Sequence, residues 1–186
     1  MRKLSVFNFI SLDGCFDGAV RGDIGWHPHD IESSGYAAEM LARHNTLLFG
    51  RVTYDMMAGY WSSEEAKRND PKVADGMNRA EKIVFSRSMQ SAAWSNTTVL
   101  NEDIADQVRR MKGSEGNDMT ILGSGSIVTQ FASQDLVDEY QIMIDPVVVG
   151  NGRKIFEGIE KTIRLQLIGT NVFRNGSVIL SYRRVE

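Results

Sequence analysis

A chain of 186 residues, 42% hydrophobic and 24% charged, is long enough to bury a sizeable core, and one soluble domain over 1–186 is expected. A formal net charge of -3, a pI near 5.7 and no long Lys/Arg run exclude a nucleic-acid surface, and no apolar stretch is long enough to span a membrane. The single cysteine, Cys15, cannot form an internal disulfide, and Asp13 with no A-x-A-like site argues against a signal peptide, so a cytoplasmic location is expected.

Residues 3–10 are apolar and rich in β-formers and read as a buried strand. Residues 13–30 are glycine-rich and aperiodic, a long loop of the kind that serves as a lid or binding segment. Tyr36, Met40, Leu41 and His44 recur near helical spacing, which predicts a helix over 31–45. A short buried strand at 46–50 leads into a helix over 51–60, and the polar stretch 62–80 reads as surface helical turns. Strands follow at 82–86 and 97–100. A helix over 102–112 carries acids at its start and bases at its end, as the helix dipole favours. The strand 119–122 runs through Gly123-Ser124-Gly125 into a helix over 125–134. Residues 139–150 read as one long strand, and Asn175-Gly176 between two β-rich runs in 163–185 predicts a hairpin with a type I′ turn. The expected fold is α/β: a mixed, mostly parallel sheet of about eight strands, flanked by helices, with a C-terminal antiparallel hairpin.

Such sheets bind ligands beyond the carboxyl ends of their strands, and three of those ends carry phosphate-compatible residues. Gly123-Ser124-Gly125-Ser126 opens a helix whose amides suit an oxyanion. Arg51 and Thr53 follow the strand at 46–50 and offer a fixed charge and a hydroxyl. Ser86-Arg87-Ser88 supplies two hydroxyls and a guanidinium suited to a ribose 2′-phosphate. Each has a plainer reading, as a tight turn, a solvated arginine or a polar loop; their placement on one sheet edge favours a shared ligand.

These segments resemble the dihydrofolate-reductase-like family, in the branch of the riboflavin-biosynthesis reductase domain. The resemblance runs through 10-ISLDG-14, 46-TLLFGRVTYDMM-57, 82-KIVFSRSM-89, 121-ILGSGSIVTQF-131 and 136-LVDEYQIMIDPVVVGNGRKIF-156. It implies NADPH as cofactor and reduction of a small heterocyclic or sugar-derived C=N or C=O substrate. It places Gly50, Arg51, Val52 and Thr53 at the cofactor phosphates, Ser86, Arg87 and Ser88 at the adenosine ribose and its 2′-phosphate, and Gly123, Ser124, Gly125, Ser126 and Ile127 around the pyrophosphate. Dihydrofolate reductases have glycine at the position of Ser124, in a cis-linked pair with the glycine before it. Their pterin-binding acid aligns with Ser34; Glu32 takes that part only if the helix begins differently. The zinc deaminase motifs that precede the reductase in bifunctional relatives are absent. The resemblance also implies a homodimer, with 143–150 as an apolar strand packing across a two-fold.

Hydride transfer needs positioning, exclusion of water and one proton donor. Asp13, just past the first strand, is the candidate for substrate contact or proton relay, and Trp26 resembles the Trp that closes the reductase site. Arg153 or Lys154 can serve a phosphate on the substrate. Tyr60 and Trp61 can wall the pocket, and Tyr140 reads as core. His27-Pro28-His29 lacks a third ligand at metal spacing, so no metal is expected and both histidines read as structural loop residues. The competing functions are dihydrofolate reduction and NADP binding without turnover.

Overall fold

The computed structural model describes residues 1–185. Its centre is β1 (Leu4–Ser11), which pairs in parallel with β6 (Met119–Leu122) on one side and β7 (Glu139–Asp145) on the other. Beyond β6 lie β3 (Thr46–Gly50), β4 (Lys82–Phe85) and β5 (Thr97–Leu100), all parallel. Beyond β7 the sheet turns antiparallel with β10 (Val178–Arg184) and then β9 (Leu165–Val172), giving the order β5-β4-β3-β6-β1-β7-β10-β9. Eight strands, mostly parallel with an antiparallel end, match the expected class.

The helices cover both faces, because alternate strand residues point to opposite sides. On one face Leu47, Phe49 and Val84 pack under α1 (Ile31–Leu41), α2 (Arg51–Trp61) and α4 (Pro71–Arg79). On the other, Leu48, Ile83 and Phe85 pack under α5 (Ile104–Gly113) and α6 (Gly125–Ser133). The chain runs from β1 past β6 to β3, whereas α6 carries it from β6 past β1 to β7. These opposed connections leave a crevice at the carboxyl ends of β1, β3 and β6.

Four local expectations are revised. The loop 13–30 contains β2 (Cys15–Asp17), which pairs with β8 (Arg153–Lys154) as a separate two-stranded ribbon. The stretch 62–80 forms α3 (Glu64–Asn69) and α4, and α4 buries Val73, Ala74 and Met77 rather than lying on the surface. The strand expected over 139–150 ends at Asp145, because Pro146 has no amide for the ladder. It lies between β1 and β10, and Met143 is buried. The predicted hairpin forms, but its turn is the three-residue kind: Gly176 donates to Phe173 O (3.0 Å), Phe173 donates to Ser177 O (2.9 Å), and of the Asn-Gly pair Gly176 alone takes a positive φ (91°).

Lys82 shows how the α4 end is fastened. It is fully buried at the start of β4, and its Nζ donates to the carbonyls of Ala80 (2.6 Å), Met77 (2.8 Å) and Asn78 (3.3 Å) while lying 4.6 Å from the Trp94 ring centre. Lys82→Met keeps the stem but leaves the buried carbonyls without their donor, which should cost about 1–3 kcal/mol in urea unfolding. Burial pushes the ammonium down to about 8 from 10.5. Between those values the unfolded chain holds the extra proton, so stability from this group rises with pH across about 8 to 10.5. Unfolding free energies of wild type and Lys82→Met should therefore diverge as pH rises through that window; parallel curves would contradict it.

Candidate active site

The crevice opens into a cleft of about 1490 Å³. All twelve residues assigned to cofactor binding from sequence line it: Gly50 to Thr53, Ser86 to Ser88 and Gly123 to Ile127. Two helices begin there. Gly50 ends β3 and is the N-cap of α2, and Ser124 is the N-cap of α6; neither side chain caps its own helix. The first amides of each helix have no intrahelical acceptor, so Arg51 and Val52 of α2 and Gly125 and Ser126 of α6 offer N–H donors to an anion.

Ser124 sets this geometry. It is buried, in the left-handed conformation (φ 56°, ψ 51°), after Gly123 (φ 56°), and the peptide between them is trans. Its hydroxyl accepts from the Gly50 amide (2.9 Å) and donates to Leu122 O (3.1 Å), while its own amide donates to Thr53 Oγ1 (3.2 Å). The Asn8 side chain donates to Gly123 O (3.2 Å), tying the turn to β1 as well. The serine that departs from the glycine of dihydrofolate reductases therefore braces the ends of β3 and β6 with a group glycine lacks. Gly125 has its own requirement: a Cβ there would lie 2.5 Å from the Phe16 ring.

The loop after β4 is shaped by Ser86, whose Oγ accepts from the amides of Met89 (3.0 Å) and Ser88 (3.3 Å). Arg87 is left exposed on the cleft wall. Arg51 also lines the cleft but shares its charge with Asp55 (3.2 Å) one turn on. Open helix amides, a close-packed glycine and an exposed guanidinium fit the phosphates of a dinucleotide.

The other half of the cleft runs between α1 and α2, with Met40, Met57, Tyr60 and Trp61 among its walls. No residue of α1 is fully buried; its inner side borders the cleft. Ser33 and Ser34 line it. Glu32 instead accepts from the Arg174 amide (2.9 Å) at the hairpin turn, and neither it nor Glu39 borders the cleft. No carboxylate within α1 borders the cleft; Asp30, its N-cap, does, and is engaged by the Ser33 amide (2.8 Å). Arg153 lines the cleft, but its guanidinium is held by the buried Asp17 and lies over Phe16 (4.8 Å); Lys154 is outside.

A model of the RibD C-terminal domain matches residues 2–179. The chain belongs to that family. An uncharacterized Bacillus subtilis protein, YyaP, is 29% identical over 181 residues, 97% of this chain and 94% of that one. The deaminase/5-amino-6-(5-phosphoribosylamino)uracil reductase of Thermotoga maritima superposes with a TM-score of 0.68 at 14% identity, across 99% of this chain and 57% of that one. Dihydrofolate reductase from Enterococcus faecalis, solved with NADP(H), superposes with a TM-score of 0.62 at 17% identity, covering 99% and 97% of the two chains. The fold is that of dihydrofolate reductase, and the family is one of RibD-like reductases.

Two residues singled out for catalysis in this RibD C-terminal domain stand outside the cleft. Asp13 accepts from the Ser11 hydroxyl (2.7 Å) and the amides of Val149 (3.0 Å) and Gly150 (2.9 Å). The Ser11 hydroxyl first, and then the Val149 amide, hold its carboxyl well below the usual range, which suits a loop clasp and not a proton donor. Trp26 packs edge-on against Phe9 (6.2 Å between centroids) with its Nε1 buried and unpartnered. Tyr140 is core, as expected; burial pushes its hydroxyl up to about 12.

The cleft also holds a group that sequence reading set aside as structural. His27 lines it, buried but for 9% of its surface, with Nδ1 2.6 Å from Asp145 Oδ2. Asp145, fully buried, accepts on Oδ1 from Ser177 Oγ (2.7 Å). These residues come from a loop, the end of β7 and the hairpin turn, so no spacing in the chain announces them. Among the described residues no cluster of three or more His, Cys, Asp or Glu could hold a metal.

Removing the Ser124 hydroxyl should be costly at a site that otherwise favours glycine. Ser124→Ala should lose about 1–3 kcal/mol in urea unfolding. Ser124→Gly, freed of the left-handed penalty, should recover about 1 kcal/mol of that loss. Equal stabilities for both variants and wild type would remove the brace from the account.

Proposed function

We propose that the chain is an NADPH-dependent reductase of a small heterocyclic or sugar-derived C=N or C=O substrate. The observation that carries this reading is the convergence of two helix N-termini and the Arg87 loop on one cleft that continues, between α1 and α2, into an apolar chamber. NADPH, when bound, supplies the hydride. The chain's own residues hold and orient: the open amides of α2 and α6 take the pyrophosphate, and Arg87 takes the 2′-phosphate with a charge-assisted contact. The walls of α1 and α2 exclude water from the reacting carbon. Folate is disfavoured as substrate, because no carboxylate of α1 borders the cleft. A substrate resembling 5-amino-6-(5-phosphoribosylamino)uracil agrees with the family; of the cations lining the cleft, Arg153 is already paired with Asp17.

Titration of NADPH against the protein by nicotinamide fluorescence, with NADH alongside, tests the cofactor assignment. NADPH should bind more tightly. Arg87→Ala should weaken NADPH roughly tenfold or more while leaving NADH within about twofold, the scale of one lost charge-assisted hydrogen bond. No NADPH binding overturns the reading. Equal losses for both nucleotides remove Arg87 from the 2′-phosphate. Binding without NADPH oxidation by any electrophile leaves a nucleotide-binding protein.

A further inference from the structure

We propose that His27, oriented by Asp145 and Ser177, is the acid that protonates the substrate heteroatom through Nε2. The inference rests on the reductase reading and supplies the one group hydride transfer still needs there, since Asp13 stands outside the cleft.

A carboxylate oxygen facing an imidazole accepts, so Nδ1 carries the proton in the His27–Asp145 contact. The second Asp145 oxygen is taken by the Ser177 hydroxyl, which fixes the carboxylate plane. Phe9 stacks on the imidazole at 3.9 Å with 6° between the planes, so the ring can neither tilt nor turn freely. Nε2 is then the remaining polar atom of a ring that borders the cleft. A carboxylate that sets the tautomer of a histidine, with the far nitrogen presented to the reacting group, is the arrangement general acid–base chemistry uses. Asp145 and Ser177 are positioning residues.

The titratable groups in contact with His27 are Asp145, from β7, and His29, from its own loop, the two imidazole centroids lying 4.9 Å apart. His29 is pushed below its ordinary value, first by desolvation and then by the neighbouring His27 charge.

The step balances. The electrophilic carbon of the C=N or C=O bond gains a hydride, one proton with two electrons, from the reduced nicotinamide, which becomes NADP⁺. The π pair moves onto the nitrogen or oxygen, which takes the Nε2 proton. His27 is left neutral, still donating from Nδ1 to Asp145, and solvent reprotonates it.

The chain has three histidines, so ¹⁵N-histidine NMR of the cofactor-free protein can be assigned with His27→Gln and His44→Ala. Nδ1 of His27 should stay protonated while Nε2 gains and loses its proton as pH is scanned, and Asp145→Asn should abolish that preference. The reverse tautomer, or an Nε2 that does not exchange, overturns the proposal whether or not a substrate is in hand. With 5-amino-6-(5-phosphoribosylamino)uracil as probe, His27→Gln should bind NADPH within about twofold of wild type yet reduce the probe roughly a hundredfold or more slowly, with the alkaline limb of the pH–rate profile gone. Wild-type turnover that persists in His27→Gln with an unchanged pH profile sinks the acid assignment and spares the reductase reading. A wild type that does not bind NADPH sinks both. Where the wild type binds NADPH but does not reduce the probe, the NMR result alone decides.

Discussion

The Ser124 hydroxyl, held between the Gly50 amide and the Leu122 carbonyl, is the contact on which the β3–β6 side of the cleft depends. A parallel sheet aligns its strand ends but does not fix the turns beyond them. Here one side chain spans from β6 to β3, and its amide reaches Thr53 in the first turn of α2. Both helix starts are thereby locked relative to each other, and their free amides face one space. Ser124 must adopt a left-handed backbone to do this, a conformation that disfavours any residue but glycine. The hydrogen bonds it makes offset that strain.

The side of the cleft beside His27 rests on a different device. Asp145 is fully buried and receives hydrogen bonds from both directions, from His27 in the long loop and Ser177 in the hairpin turn. A buried carboxylate without partners would be costly, so the two partners hold the loop and the hairpin to the end of β7. Asp17 acts similarly, receiving the Gly22 amide (3.1 Å) and the Arg153 guanidinium and so binding the ribbon of β2 and β8 to the loop. The long glycine-rich loop, which has little core of its own, is shaped by these two acids.

Most of the sheet was legible in the chain because buried strands are short apolar runs bounded by turn residues. The segments that line the cleft were legible for a related reason: each is continuous in sequence, a strand end followed by a helix start after β3 and β6 and by a loop after β4. The surroundings of the residues chosen for catalysis were not. Asp13 precedes glycine just after β1, where an exposed carboxylate is expected, but the amides of Val149 and Gly150, distant in the chain, claim it. Glu32 sits on the right helix and is turned to the hairpin by the Arg174 amide. Trp26 faces Phe9. For Glu32 and Trp26 a long-range partner, and for Asp13 the Ser11 hydroxyl together with the Val149 and Gly150 amides, decided the direction of a side chain that residue spacing left open.

By itself the sequence determined the alternation of strands and helices, the family, and three segments that line the cleft, because local periodicity and contiguous turns are written in adjacent residues. Tertiary structure alone decided that Ser124 is a brace, that β7 is an interior strand, that α4 is half-buried, and that His27, Asp145 and Ser177 meet. Those facts depend on which groups, far apart in the chain, satisfy one another's hydrogen bonds once water is excluded, and residue spacing carries no record of that.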